Sequence, residues 1–347
     1  MGWVLGGDWD ALEHPFENDR RFHAVRDVIA LGKCWQDTRE YEDAVETLKS
    51  GQPVRYCCTR EELDDRFRAL DGLVRAIRDE GYLTQRELRS RRTREWQLGR
   101  QDEISVAIGR HGDILYRDGA HRLAIAKLVG VPRLPVEVEV RHADWMAFRL
   151  LIEQYALEHG GRVPTPLLHP DLDNVPFRCT RESRLRMLRE HLPITGTVLD
   201  ITPGWGYFST RLQGEGWDCT ALERPPSDAP FLGGLRRACR CTFSLLSEDE
   251  LPRLPGERRS FDTGLLMNDG LDRRTRSTPG DLARILDVVT LRQLFVEPDA
   301  FARSLAESDD GTSDEASFLE SLMKLTGLRD RTCVGGSREA GPLYRLS

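Results

Sequence analysis

The segment Val198-Leu199-Asp200-Ile201-Thr202-Pro203-Gly204-Trp205-Gly206-Tyr207-Phe208-Ser209 constrains the fold more than any other stretch of the chain. An apolar, partly β-branched run reads as a strand, and the two glycines after it predict a turn. Without a Cβ at Gly204 and Gly206, a ligand can come close to the backbone there. The helix predicted to follow offers its free N–H groups at the same spot. A second strand over 218–222 then ends in Glu223, and an acid in that place can accept both hydroxyls of a ribose in a Rossmann-like crevice. Further strands are expected at 263–267, 293–296 and 342–345, with helices at 181–192, 208–213 and 316–325. Alternation of this kind predicts an α/β domain with a mostly parallel sheet and helices on both faces.

The first half reads differently. Thr59-Arg60-Glu61-Glu62 has the form of a capping box and opens a helix whose apolar positions are Leu63, Phe67, Leu70, Val74 and Ile77. Gly81 is expected to close it as a left-handed cap. Strands follow at 104–108 and 114–116, then a helix over 120–129 stopped by Gly130 and Pro132, then an alternating strand over 134–140. This is a smaller α+β pattern.

Within it, Tyr116-Arg117-Asp118-Gly119-Ala120-His121-Arg122 carries a local electrostatic penalty. His121 and Arg122 fall in the first turn of a helix, where the macrodipole already places positive charge. Cations beside free N–H groups make sense if an anion binds, and phosphate is the obvious candidate. Asp118, Gly119, His121 and Arg122 are therefore the expected phosphate-binding residues.

The chain has 347 residues, enough for about two domains. Prolines and glycines crowd residues 155–178, so the expected division is 1–150, a linker over 151–178, and 179–347. A net charge of −7 argues against a nucleic-acid partner. Of the 50 basic residues only Lys33, Lys49, Lys127 and Lys324 are lysine. No apolar run approaches the roughly 18 residues that would span a bilayer, so no membrane association is expected and a cytoplasmic location is. The eight cysteines include no Cys-x-x-Cys pair and are expected to be reduced thiols, with no metal site. Trp3, Trp9 and Trp35 are expected in a core or an interface, and 307–315 as a polar surface loop.

Two resemblances follow from these residues. The segment from Val198 to Ser209, with Phe261–Asn268, Leu294–Pro298 and Gly341–Arg345, resembles the strands and first motif of class I S-adenosylmethionine (SAM)-dependent methyltransferases over residues 177–347. By that resemblance Asp200, Gly204 and Gly206 would line the methionine portion of SAM, Glu223 would hold its ribose, and Asn268 and Asp269 would sit near the transferred methyl. This chain departs from the pattern at Thr202, where the family has a glycine, and at the adjoining Pro203. The run from Tyr116 to Gly130, continued by Pro132–Val138, resembles the ParB/sulfiredoxin-like nucleotide-binding superfamily over residues 60–141. That implies ATP or CTP, with magnesium, at the N-terminal domain. Ala120 stands where a sulfiredoxin-type cysteine nucleophile would be, so that activity is not expected. The expected function is methyl transfer from SAM to a small molecule, such as a sugar or a nucleotide-linked compound. The alternatives are a nucleotide-dependent phosphotransferase with a degenerate methyltransferase domain, and a non-enzymatic nucleotide-binding regulator.

Overall fold

The computed structural model describes residues 2–11, 15–91, 103–223, 229–247, 250, 258–267, 279–298, 315–337 and 341–347. The chain divides into two compact units, Met1–Met146 and Ala147–Ser347.

The N-terminal unit holds a four-stranded mixed sheet of β1 (Trp3–Leu5), β2 (Ser105–Ile108), β3 (Ile114–Asp118) and β4 (Glu137–His142), in the order β1-β4-β2-β3. Its helices are α1 (Arg20–Leu31), α2 (Arg39–Lys49), α3 (Arg60–Glu80), α4 (Gln85–Arg91) and α5 (Ala120–Val129). The α3 capping box forms as its sequence requires: Thr59 Oγ1 accepts from Glu62 N, and the Glu62 carboxylate accepts from Thr59 N. Leu63, Phe67, Leu70, Val74 and Ile77 are all buried, in one cluster with Trp35, Tyr41 and Ile125. Gly81 does stop the helix with φ of 80°, but its ψ of 177° is extended, so the expected left-handed cap does not form. Trp35 lies in this core, whereas Trp3 is 77% exposed on edge strand β1 and fills none.

A helix α6 (Ala143–Glu158) contains the boundary between the units. Residues 151–178, read from the sequence as a linker, begin in this helix, and Ile152, Val163 and Leu172 are fully buried. Val163 also pairs with Phe177 in an isolated bridge.

The C-terminal unit is built on a seven-stranded sheet of β5 (Thr197–Asp200), β6 (Asp218–Glu223), β7 (Ser244–Ser247), β8 (Arg259–Leu266), β9 (Val289–Val296), β10 (Arg331–Ser337) and β11 (Gly341–Leu346). The order is β10-β11-β9-β8-β5-β6-β7; β11 runs antiparallel to its neighbours β9 and β10, and every other pairing is parallel. The helices are α7 (Glu182–His191), α8 (Tyr207–Gly214), α9 (Ala229–Ala238), α10 (Pro279–Asp287) and α11 (Glu315–Thr326). Successive strand residues face opposite ways. Val198, Ala221, Leu265 and Phe295 therefore join Leu185, Phe208 and Leu232 of α7, α8 and α9 in one core. Leu199, Leu222, Leu266 and Val296 join Leu282, Ile285, Leu319 and Leu322 of α10 and α11 in the other. Helices thus cover both faces, and the strand order is that of a Rossmann-like, methyltransferase-type sheet. The order reverses at β5, which has β6 on one side and β8 on the other, and ligands of open α/β sheets bind beyond the carboxyl ends of strands at such a point.

Candidate functional sites

At the switch point, β5 ends in Asp200 and the chain turns through Gly204 (φ 51°) and Gly206 (φ 85°) into α8. Gly206 is the N-cap residue, with a positive φ that penalises any other residue, and no side chain caps the helix. Asp200 is wholly buried. Its Oδ2 accepts from Ser209 Oγ at 2.7 Å, while Oδ1 has no partner at ordinary hydrogen-bond geometry. Burial pushes the Asp200 pKa up to about 7, against the hydrogen bonds of Ser209 and the backbone of Thr202. Half-buried Glu223 ends the neighbouring strand, two residues beyond the Asp200–Ala221 pair.

The departure at Thr202 has a structural role. Its Oγ1 donates to Met267 O at 2.8 Å and accepts from Met267 N at 2.9 Å, tying the turn to the residue that follows β8. A glycine could make neither bond. Trp205, between the two glycines, is 4% exposed and stacks on Phe231 of α9 at 4.2 Å, with Tyr155 edge-on at 4.9 Å. Its Nε1 is buried without a partner. Beyond β9, Glu297 is buried between Arg181 and Arg184, at 2.8 and 2.5 Å. Asn268 and Asp269 lie outside the described residues.

In the N-terminal unit, β3 ends in Asp118, whose Oδ1 accepts from Gly119 N at 2.8 Å. Gly119 caps α5 with φ of 89°, and a Cβ there would come within 3.1 Å of Ile104 Cα. Asp118, Gly119, His121 and Arg122 all line a single cavity of about 1160 Å³. Arg21, Arg55 and Arg66 line it too. Asp118 is the one carboxylate among its described lining residues. Arg122 Nη1 is buried with no hydrogen-bond partner.

His121 does not stand free beside Arg122. Both oxygens of Glu40 lie 3.1 Å from its Nε2, and Arg55 reaches the same carboxylate at 2.6 Å. Burial opposes charge on Glu40, but the hydrogen bond and charge of His121, and then those of Arg55, outweigh it and hold the carboxyl below its usual value. Burial lowers the His121 pKa despite Glu40, helped by Arg55 and Arg66. Burial and the charge of Arg55 also lower that of Arg66. A smaller cavity of about 370 Å³, lined in part by Asp19 and Glu40, shares Arg21 and Arg55 with the large one. Sequence reasoning missed Glu40, Arg55 and Arg66. A glutamate in a first helical turn ordinarily reads as a solvated partner of the dipole, but this one is 7% exposed.

Among the described residues no group of His, Cys, Asp and Glu could hold a metal ion, and no helix is long and apolar enough to cross a membrane. All eight cysteines are free thiols, with Cys57 and Cys219 buried.

No family model matches the sequence, and no curated protein matches it. Among solved structures, the chain is similar to the bifunctional kinase-methyltransferase WbdD (16% identity, 56% of this chain and 45% of that one, TM-score 0.37). It is also similar to a TehB-like SAM-dependent methyltransferase from Corynebacterium glutamicum (13% identity, 57% and 98%, TM-score 0.35) and to the PH0226 protein of Pyrococcus horikoshii OT3 (15% identity, 48% and 88%, TM-score 0.32).

Proposed function

We propose that the chain is a SAM-dependent methyltransferase acting on a small molecule, and that its N-terminal half binds a nucleotide or another phosphorylated ligand. The observation that carries the first part is the glycine turn at the switch point of the sheet, with the buried, half-satisfied carboxyl of Asp200 beneath it. The orphaned Oδ1 fits the α-ammonium of SAM, and Gly204 and Gly206 leave the backbone open to its methionine portion. Glu223 would take the ribose hydroxyls. Asn268 and Asp269 are assigned to the methyl-transfer end from sequence. SAM supplies a methyl already activated on a sulfonium, so the protein's share is to orient the acceptor and exclude water. Titration calorimetry of the folded chain with SAM tests this, and absence of heat at millimolar SAM ends it.

A second reading is favoured by the Thr202–Met267 bonds across the switch point and by the arginine-lined cavity. Here the chain is a phosphotransferase using ATP or CTP with magnesium, in which Asp118, Gly119, His121 and Arg122 hold the phosphates. Nucleoside diphosphate or monophosphate released in the presence of candidate acceptors supports it, and unchanged turnover in Arg122→Ala argues against it.

A further inference from the structure

Arg55 sits on a turn with two unusual backbones. Val54 and Cys57 exchange both backbone hydrogen bonds, at 2.9 and 2.8 Å, and the residues between them, Arg55 and Tyr56, have φ of 50° and 69°. Asparagine and glycine take such a turn readily, whereas an arginine and a tyrosine hold it only under strain. What that geometry achieves is the placement of the Arg55 guanidinium against Glu40, 3.5 Å from His121 Nε2 and on the wall common to both cavities.

The cations around the large cavity are unequally compensated. Arg21 is held by Asp19 and Arg55 by Glu40. Arg66 forms no ion pair among the described residues, and Arg122 Nη1 is buried without a partner. Unpaired guanidiniums converging on one space call for an anion with more than one charged group. We propose that the cavity binds a ligand bearing two or more phosphoryl groups through Arg66 and Arg122, and that Arg55 transfers from Glu40 to this ligand, leaving Glu40 to a protonated His121. The proposal rests on the phosphate-binding reading of this half of the chain.

The proton follows from the surroundings of His121. Glu40 of α2, Arg55 of the turn, Arg66 of α3 and Asp19 ahead of α1 act on it. With Arg55 on Glu40, the two arginines and burial keep the imidazole neutral. Once Arg55 and Arg66 are neutralised by phosphate, Glu40 is a buried carboxylate whose nearest cation can only be the imidazolium. The proton comes from solvent onto His121 Nδ1, while Nε2–H donates to Glu40. The exchange therefore takes up a proton at His121, and its contribution to binding strengthens as pH falls.

The test is calorimetric titration of the full chain with sodium tripolyphosphate, in two buffers of different ionisation enthalpy at pH 7. The wild type should bind with a buffer-dependent heat larger than that of His121→Asn, because the ligand's own protonation is common to both. Arg55→Gln should bind about tenfold to a hundredfold more weakly. Circular dichroism melts of both variants establish that they are folded, and Arg55→Lys, which keeps the charge without the fork, should lie between wild type and Arg55→Gln. Binding by the wild type with equal affinity in Arg55→Gln, or with equal buffer dependence in His121→Asn, overturns the exchange alone. No binding of tripolyphosphate by the wild type overturns the phosphate reading with it.

Discussion

The chain uses one local device twice. At Asp118–Gly119 and again at Asp200–Gly206, a strand ends in an aspartate and a left-handed glycine opens a helix that no side chain caps. What surrounds the two junctions differs. Arginines and a histidine ring the first, which opens into a large cavity. Aromatic rings close around the second, and a threonine ties it across the sheet. A strand-to-helix turn thus supplies donors and a close backbone approach, but the neighbouring elements decide whether it faces charge or apolar packing.

The largest contrast should come from the aromatic side. Trp205→Ala removes a buried ring stacked on Phe231 and should cost about 3–5 kcal/mol, read as a fall in melting temperature. A loss under about 1 kcal/mol would mean that the stack does not hold the turn.

The two sites should also respond to pH with opposite sign. Asp200 has a folded pKa raised from 3.8 to about 7, so its neutral form is the one the fold favours. The unfolded chain releases this proton first, and stability is lost as pH rises from about 4 to 7, by up to about 4 kcal/mol. Asp200→Asn should abolish that fall and melt above wild type at pH 8. Glu40 is the mirror case. Its folded pKa is lowered, so it stabilises above the ordinary carboxylate range and loses that contribution on acidification. Denaturant titrations of wild type and Asp200→Asn between pH 5 and pH 8, and of wild type and Glu40→Gln between pH 5 and pH 3, read the two slopes, and slopes of the same sign would erase the distinction.

Much of this architecture is legible in the sequence, because its signals are local. The capping box at Thr59, the helix from Ala120 to Val129 and the strand-turn-helix at Val198 are fixed by neighbours within a few residues. What escapes is set by distant parts of the chain. Trp3 reads equally as a core or an interface residue until β1 is seen to be an edge strand that leaves it exposed. Glu40 and Arg66 look like solvated helix charges until α2 and α3 are packed against α5. Thr202 looks like a defect in a glycine pattern until Met267 is brought beside it.

The glycines that define the shared device allow a more moderate test. Gly119→Ala and Gly206→Ala each place a Cβ on a left-handed backbone, costing about 2 kcal/mol in denaturant unfolding. The neighbours differ: the added Cβ would meet Ile104 Cα at 3.1 Å in one case and the movable Leu232 Cδ1 at 2.8 Å in the other. Gly119→Ala should therefore be the more destabilising, since backbone yields less than the end of a leucine. The reverse order would show that the cavity side is the softer of the two.

The smallest effect sharpens the comparison most. Thr202→Val keeps the shape of the side chain and removes its hydroxyl, leaving Met267 N–H and C=O without that partner. The cost should be about 1 kcal/mol, the ordinary net worth of a hydrogen bond. Stability alone does not say what the bonds are for, but SAM affinity does. If they shape the turn for the cofactor, the variant binds SAM more weakly in proportion to the loosened geometry. If they close the switch point, removing them lets β5 and β8 part at their carboxyl ends and SAM binds more tightly. The first outcome is the one a cofactor site at the second junction requires. The second makes it a site that its own sequence has shut, and shifts the weight of function to the arginines around Gly119.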